Sequence, residues 1–300
     1  MTNVEYVRLD RGLVSVTGAD RQTFLQGLIS QDVDLVSEKC AVYGAFLTPQ
    51  GKYLHDFCLA EIGERLILDG EQGRGAELMD RMKRFKLRAK VELSSAVDLC
   101  VVAVFGQNAA SALGLSETPG AARPLGDGIA FVDPRSSKLG CRLIVPTVHA
   151  ATIVSELPLT ESTRDEYKAL RIRLCIPDGT QDMDVEKSTL LECNFEALNG
   201  VDWDKGCYIG QEVTARTKYR GLVKRQLIPV SVDGKTPDAG SAIYTDGKQV
   251  GEIRSNHDGI AIASLRLDAI DAAMDGQTLT ADGSVITLLS AFPIDAVEHD

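Results

Sequence analysis

DKGCYIGQEVTARTKYRG, residues 204–221, is the most informative stretch of this chain. Gly206 and Gly210 bracket Cys207, so the backbone there can turn sharply or approach a ligand closely. From Gln211 onward the residues favour a helix, which the closing glycine of the stretch would end. The sequence therefore predicts a cysteine loop directly before a helix.

Cys207 has two interpretations in this setting. Lys205 lies two residues away, and both a cation and the N-terminus of a helix stabilise a thiolate. Glu212 acts in the opposite direction, and free cysteines are most often buried as small hydrophobes. We predict a reactive Cys207 thiol with Lys205 as its catalytic neighbour, and a buried, inert cysteine is the alternative.

The segment that follows the loop is basic, although the whole protein is acidic. The 300 residues carry a net charge of −11, which argues against broad nucleic-acid binding. Residues 213–232 contain no acidic side chain. This local excess of positive charge predicts a site for a specific small anion, with an ordinary solvated helix face as the alternative. Its cations are Arg216, Lys218, Arg220, Lys224 and Arg225.

Composition is that of a globular protein of two or three domains, with 44% hydrophobic and 25% charged residues. No apolar run reaches the ~18 residues of a membrane helix, and the first residues, MTNVEYVRLDRG, lack the features of a leader peptide. We therefore expect a cytoplasmic protein without membrane contact. The seven cysteines and four histidines are scattered without a C-x-x-C pair, so neither a disulfide framework nor a metal site is expected.

Turn signals and hydrophobic periodicity predict an α+β chain in three parts. Residues 1–90 and 160–225 are expected to form one α+β core, and residues 91–159 a second α+β domain. From residue 226 to 300, short strands alternate with Gly, Asp and Pro turns, which is typical of a small β-barrel.

Three further motifs accompany the octapeptide KGCYIGQE at 205–212. They are VTGADRQTFLQGLISQDV at 16–33, AFLTPQGKYLHD at 45–56 and AIASLRL at 261–267. Together the motifs resemble the YgfZ family of folate-binding proteins, which support iron–sulfur enzymes and are related to the T-protein of glycine cleavage. The resemblance implies a three-part ring with a small C-terminal β-barrel around a central folate cavity.

The resemblance also implies residues that bind tetrahydrofolate or a one-carbon derivative of it. Asp56 matches the second acid of a G-x-x-x-D-D stretch in T-proteins, while His55 replaces the first. This departure weighs against aminomethyl transfer. Glu192 matches a glutamate that pairs with the pterin ring, whose adjacent N–H donors a carboxylate can accept.

The same resemblance assigns the opposite end of the folate to cations. Arg225 matches a T-protein arginine placed just before the barrel, where it would hold the glutamate tail. Arg220 and Lys224 would assist it. Tyr208, within the octapeptide, is expected to contact the same cofactor.

These observations predict a tetrahydrofolate-binding protein that uses Cys207 in the assembly or repair of iron–sulfur clusters. Its expected partners are folate and iron–sulfur client or assembly proteins, including tRNA-modifying enzymes, without direct nucleic-acid binding. One alternative is a folate-dependent aminomethyltransferase or demethylase of the T-protein type. Another is a non-catalytic adaptor that holds RNA or a protein client through the basic helix. Whether the protein is an enzyme is left open.

Overall fold

A computed structural model describes residues 4–289 as two β-sheets and a β-barrel with short helices between them. In chain order, the strands are β1 (Glu5–Leu9), β2 (Arg11–Thr17), β3 (Val42–Leu47), β4 (Tyr53–Ile62), β5 (Arg65–Glu71), β6 (Glu92–Ser95), β7 (Leu99–Phe105), β8 (Ala122–Leu125), β9 (Gly128–Val132), β10 (Cys141–Pro146), β11 (Thr160–Glu161), β12 (Arg225–Asp233), β13 (Ala242–Thr245), β14 (Lys248–His257), β15 (Ile260–Arg266), β16 (Leu279–Ala281) and β17 (Ser284–Leu288). The helices are α1 (Arg21–Gln26), α2 (Gly75–Lys83), α3 (Ala109–Ala112), α4 (Ala150–Ser155), α5 (Arg164–Arg173), α6 (Gln211–Tyr219) and α7 (Leu267–Met274).

The first sheet is antiparallel, with strand order β3-β4-β5-β2-β6. Its strands alternate side chains between two apolar faces, as the period of two requires. Phe46 and Leu59 lie on the face covered by α1 and α2. Tyr43 and Cys58 lie on the other face, in the core shared with the second sheet. This arrangement buries almost the whole of β4.

The second sheet has the order β11-β1-β7-β10-β9-β8. Its inner face, which includes Val101 and Phe131, packs against the first sheet in one continuous core. Asp10 alone separates β1 from β2, so two consecutive strands enter different sheets. Conversely, β6 follows residue 90 yet joins the first sheet. The domain boundaries expected near residues 90 and 225 stay a prediction.

The C-terminal part closes as a six-stranded barrel of order β12-β15-β14-β13-β16-β17. Its interior is filled by aliphatic side chains such as Val230, Ile253 and Leu265. Helix α5 joins the barrel to the core, since the Arg171 guanidinium donates to Ser255 Oγ at 2.8 Å. The predicted α+β class and the C-terminal β-barrel are thus confirmed.

Turn signals and hydrophobic periodicity in the sequence predict the strands and α-helices given above except for five: β6, β8, β11, β16 and α7. The four strands have two to four residues each, so their local pattern is too short to show an alternation. Helix α7 begins directly after β15 and buries Ala269 and Ile270 against the barrel. None of the helices within residues 4–289 has the length and apolar character needed to cross a bilayer.

Candidate functional site

Cys207 lies in an irregular loop that runs from Gly200 to Gly210 and leads into α6. Its side chain is exposed, whereas Cys40 is half-buried and the other five cysteines are buried. Cys207 is therefore not the small buried hydrophobe of the alternative interpretation. The structure places this one thiol where a partner molecule can reach it.

Lys205 anchors the loop from within. Its ammonium donates hydrogen bonds to the carbonyl oxygens of Ile29 at 2.8 Å and Gln31 at 2.6 Å. Burial lowers the pKa of Lys205 to about 8, although Asp32 and Asp202 act in the opposite direction. The first effect of Lys205 is therefore to fix the loop to the segment that follows α1. The predicted catalytic role of Lys205 stays a prediction.

Further hydrogen bonds attach the loop to the motif at 16–33. Ser30 Oγ donates to the Gly200 carbonyl at 2.6 Å, and the Ser30 carbonyl accepts from Asp202 N–H at 2.9 Å. The Asp202 carboxylate in turn accepts from the backbone N–H of Lys205 at 2.8 Å. Two motifs far apart in sequence therefore form one structural unit.

The motif at 45–56 supports the other end of the loop. Gly210 precedes α6 with a φ of +85°, a conformation that favours glycine. A Cβ atom there would lie 2.7 Å from the Thr48 carbonyl oxygen and 3.0 Å from Gly51 Cα. Only glycine thus lets the β3–β4 turn approach the start of α6 so closely.

The aromatic residues of the loop pack against lysines. Tyr208 is buried, with its ring centroid 5.3 Å from Lys205 Nζ, and burial raises the pKa of Tyr208 to about 12. Trp203 is half-buried beneath Lys218, whose Nζ lies 4.1 Å from the ring centroid. These contacts order the residues on either side of Cys207.

The basic run after the loop is only partly available to an anion. Arg216 pairs with Glu212, and Lys218 pairs with Glu196. Arg220 ends α6 as an exposed residue, and no carboxylate in the described part of the chain pairs with it. Part of the predicted anion patch is therefore a solvated, internally paired helix face.

Glu192 and Arg225 line one cavity of about 230 Å³ between the core and the barrel. Glu192 belongs to a short 3₁₀ helix, and its Oε2 accepts from Thr189 Oγ1 at 2.8 Å. Arg225 begins β12 and has no carboxylate partner within residues 4–289. Arg254, in the same cavity, is held by both oxygens of Asp184 at 3.2 and 2.9 Å.

These residues fit one end of a folate. The second oxygen of Glu192 and the guanidinium of Arg225 offer an acceptor and a set of donors on the wall of one polar cavity. Sites that enclose a whole drug-sized ligand measure about 300–1,000 Å³. The cavity is smaller, so it suits one polar end of the cofactor but not both ends. The resemblance implies the pterin for Glu192 and the glutamate tail for Arg225, and these two assignments do not fit one cavity of this size together.

Asp56 does not line the cavity of Glu192 and Arg225. Its carboxylate is buried on β4 and accepts from the hydroxyls of Tyr43 at 2.9 Å and Tyr53 at 2.8 Å. Burial raises the pKa of Asp56 above its ordinary value, against the pull of Arg11. The whole residue is only 4% exposed. Its predicted role in folate binding stays a prediction.

His55 occupies the other face of the same strand. The ring is buried, its Nε2 has no hydrogen-bond partner, and the nearest carboxylate, Glu77, is 3.9 Å away. Burial, followed by the charge of Arg74, lowers the pKa of His55 to about 4. A neutral histidine thus replaces the first acid of the T-protein stretch.

A buried network of arginines and aspartates was missed by the sequence interpretation. Asp69 accepts from Arg11 at 2.6 Å and from Arg142 at 2.5 Å. Asp133 binds Arg135 through two hydrogen bonds of 2.9 and 2.8 Å and also binds Arg142 at 2.9 Å. The signal was present as single charged residues inside apolar strands, such as the arginine of CRLIVP.

Comparison with known proteins places this geometry in a family. The model of the CAF17 C-terminal β-barrel domain matches residues 224–291. An iron–sulfur cluster assembly factor, the mitochondrial IBA57 homolog of Coccidioides immitis, is 32% identical over 247 residues. The mitochondrial IBA57 of mouse is 30% identical over 308 residues, a match that covers 95% of this chain and 84% of the mouse protein. This chain belongs to the IBA57 family.

The extent of these matches differs between relatives. The match covers 76% of this chain but only 56% of the Coccidioides protein, so the chain spans little more than half of that relative. Among solved structures, the glycine cleavage system aminomethyltransferase T of Bartonella henselae superposes with a TM-score of 0.78 at 15% identity. That match covers 97% of this chain and 86% of the other chain, and it confirms the predicted T-protein-like fold.

The comparisons confirm the expected process and fold but correct the expected cellular location. An iron–sulfur assembly family with a T-protein-like fold is confirmed. The cytoplasmic location is contradicted, because the mouse, human and Coccidioides relatives are mitochondrial and point to that compartment. The expectation relied on the absence of a membrane-helix run and of leader features in the first residues, and neither absence determines the compartment.

Proposed function

We propose that this chain uses the Cys207 thiol in the assembly or repair of iron–sulfur clusters in client enzymes, with a tetrahydrofolate bound nearby. The observation that carries the proposal is the single exposed cysteine, presented by a loop that the motifs at 16–33 and 45–56 hold in place. Membership of the IBA57 family supports the same process. As in the YgfZ family, the clients would include tRNA-modifying enzymes.

The chemistry of the loop suits a transient contact with a cluster. A thiolate is a soft ligand that binds iron. Lys205 and Gly210 fix the loop on either side of Cys207. The thiol can therefore meet a partner without much loss of backbone entropy. The cluster would be cargo that passes through the contact, and its other ligands would come from the partner.

Tetrahydrofolate would supply a nitrogen that carries a one-carbon unit. Glu192 would accept hydrogen bonds from one polar end of the cofactor, and Arg225 would balance negative charge beside it. Asp56 is the residue that the alternative function, aminomethyl transfer, would need most. Its carboxylate is buried and lies outside the cavity that Glu192 and Arg225 line, which favours the assembly role over the transferase.

A complementation experiment tests the assembly role. A strain that lacks the gene would receive wild type, Cys207→Ser or the matched control Cys40→Ser, which removes a half-buried cysteine. We expect Cys207→Ser alone to resemble the deletion, with lower activity of a radical-type tRNA-modifying iron–sulfur enzyme and intact glycine cleavage. Full activity of Cys207→Ser would refute the role of the thiol. Failure of glycine cleavage with a normal iron–sulfur enzyme would favour the transferase.

A ligand titration tests the cofactor. Tetrahydrofolate should bind saturably to the purified protein, and Arg225→Ala should weaken that binding about ten-fold or more. Arg266→Ala is the matched control, because Arg266 is the cross-strand neighbour of Arg225 but pairs with Asp268 outside the cavity. Absence of binding at millimolar tetrahydrofolate, or equal loss in both variants, would contradict the proposed site.

A further inference from the structure

Residues 81–90, RMKRFKLRAK, form a second basic segment at the end of α2. It has six cations and no acid, in a chain whose net charge is −11. The side chains of Arg84, Lys86, Arg88 and Lys90 form no ion pair with any of residues 4–289. This positive charge is therefore available to a molecule outside the chain.

Two large apolar side chains stand among these cations. Leu87 is 91% exposed and Phe85 is 41% exposed. Leu87 also has a φ of +41°, which is uncommon for a residue with a branched side chain. The ring of Phe85 is held edge-on against Phe46, with centroids 6.1 Å apart. Exposure and backbone strain in one short segment point to a role in contact with another molecule.

The segment forms one wall of a groove of about 530 Å³. Phe24 and Leu28 of the α1 region form its floor, and Ile209 of the cysteine loop closes one side. Ile209 is two residues from Cys207, so the groove adjoins the loop that carries the exposed thiol. Lys86 and Arg88 line the groove, and so does Asp20, whose carboxylate accepts from the Lys90 backbone N–H at 2.7 Å. We call this groove, together with Arg84 and Lys90 of the same segment, the basic groove.

We propose that the basic groove docks an acidic protein segment that inserts one apolar side chain between Phe85, Leu87 and Ile209. Carboxylates flanking that side chain would face Lys86 and Arg88 in the groove, with the charges of Arg84 and Lys90 in the same segment, so charge complementarity sets the partner's chemistry. A nucleic acid fits less well, because phosphates gain nothing from an apolar floor and the whole chain repels them. A role for this docking in the chemistry of Cys207 rests on the proposed function, but the docking itself does not.

Site-specific photocrosslinking tests the docking in intact cells. Leu87→p-benzoylphenylalanine in the full chain would be compared with the same change at Val148, which is 83% exposed and lies outside the basic groove. We expect a protein crosslink from position 87 only, mapped by mass spectrometry to a partner segment of net negative charge. Crosslinks to RNA or lipid, an uncharged or basic partner segment, or equal yields from both positions would overturn the proposal.

A charge-swap experiment with the identified partner gives a second readout. Lys86→Glu together with Arg88→Glu should weaken binding about ten-fold or more at low salt, and acid-to-lysine changes in the mapped segment should restore it. Lack of restoration would contradict the charge pairing. Cys207→Ser should leave the crosslink unchanged, so a failed docking test and a failed thiol test remain distinguishable.

Discussion

Replacing Lys205 by methionine should abolish a pH-dependent gain in stability that the wild-type protein shows. Burial lowers the pKa of Lys205 from its ordinary 10.5 to about 8 in the folded state. Between these two values the unfolded chain binds more protons than the folded one. The free energy of unfolding therefore rises with pH across this window, and the cost of burying the charge is largest below pH ~8.

The magnitude follows from the shift. Between pH 7 and pH 9.5 linkage gives the wild type a gain of about 2 kcal/mol relative to the variant. The variant has no ammonium to bury, but it leaves the carbonyls of Ile29 and Gln31 without their donor, at about 1–3 kcal/mol each. Because these losses do not depend on pH, they lower the stability of the variant by the same amount at both pH values, and only the slope reports the burial of the charge.

Urea unfolding at the two pH values measures the slope. Trp203 is the only tryptophan and lies in the same loop, so its fluorescence reports the relevant transition, with far-UV circular dichroism as a second probe. Other titrating groups contribute equally to both proteins and cancel in the difference. If wild type and Lys205→Met differ by the same free energy at both pH values, the argument from burial is wrong.

Three further predictions concern reactivity and stability. Iodoacetamide should alkylate Cys207 before any buried cysteine, as peptide mapping over a time course would show. Gly210→Ala should destabilise the protein by at least about 2 kcal/mol more than Gly221→Ala in thermal unfolding, because both have positive φ but only the former meets backbone atoms. Asp133→Asn should cost about 3–5 kcal/mol at pH 7, since it leaves two buried arginines undercompensated. Arg135 and Arg142 hold the pKa of Asp133 well below its ordinary value. The contribution of Asp133 to the free energy of unfolding is therefore lost as the pH falls below ~4. The stability of Asp133→Asn should accordingly fall less on acidification than that of wild type.

The sequence predicted those strands and helices that have a clear local pattern of hydrophobic residues and turn residues. Strands such as β12 and β14 are long enough for their alternation and flanking turns to be recognised. The two residues of β11 carry no such pattern, because their strand character comes from pairing with β1. Helix α7 was missed for a different reason: it follows β15 without a turn signal, and its burial depends on the closed barrel.

The candidate site shows the same division. The glycines around Cys207 indicated an irregular, accessible loop, and the structure has one. The acceptors of Lys205 could not be predicted, because Ile29 and Gln31 meet it only after the fold brings distant motifs together. The partners of Asp56 were equally hidden, since no linear motif shows that the hydroxyls of Tyr43 and Tyr53 would donate to its carboxylate.

The place of β1 in the second sheet affects how the chain folds during its synthesis. Strand β2 can pair early, because its partners β5 and β6 leave the ribosome before β7 and β11, the partners of β1. Strand β1 must wait, since Glu5 pairs with Phe105 on one side and Thr160 on the other. Until those residues emerge, EYVRL stays an unpaired β-forming segment beside a sheet that has already formed. A pause in translation before residue 105 would therefore prolong the interval in which the nascent protein is most prone to aggregate.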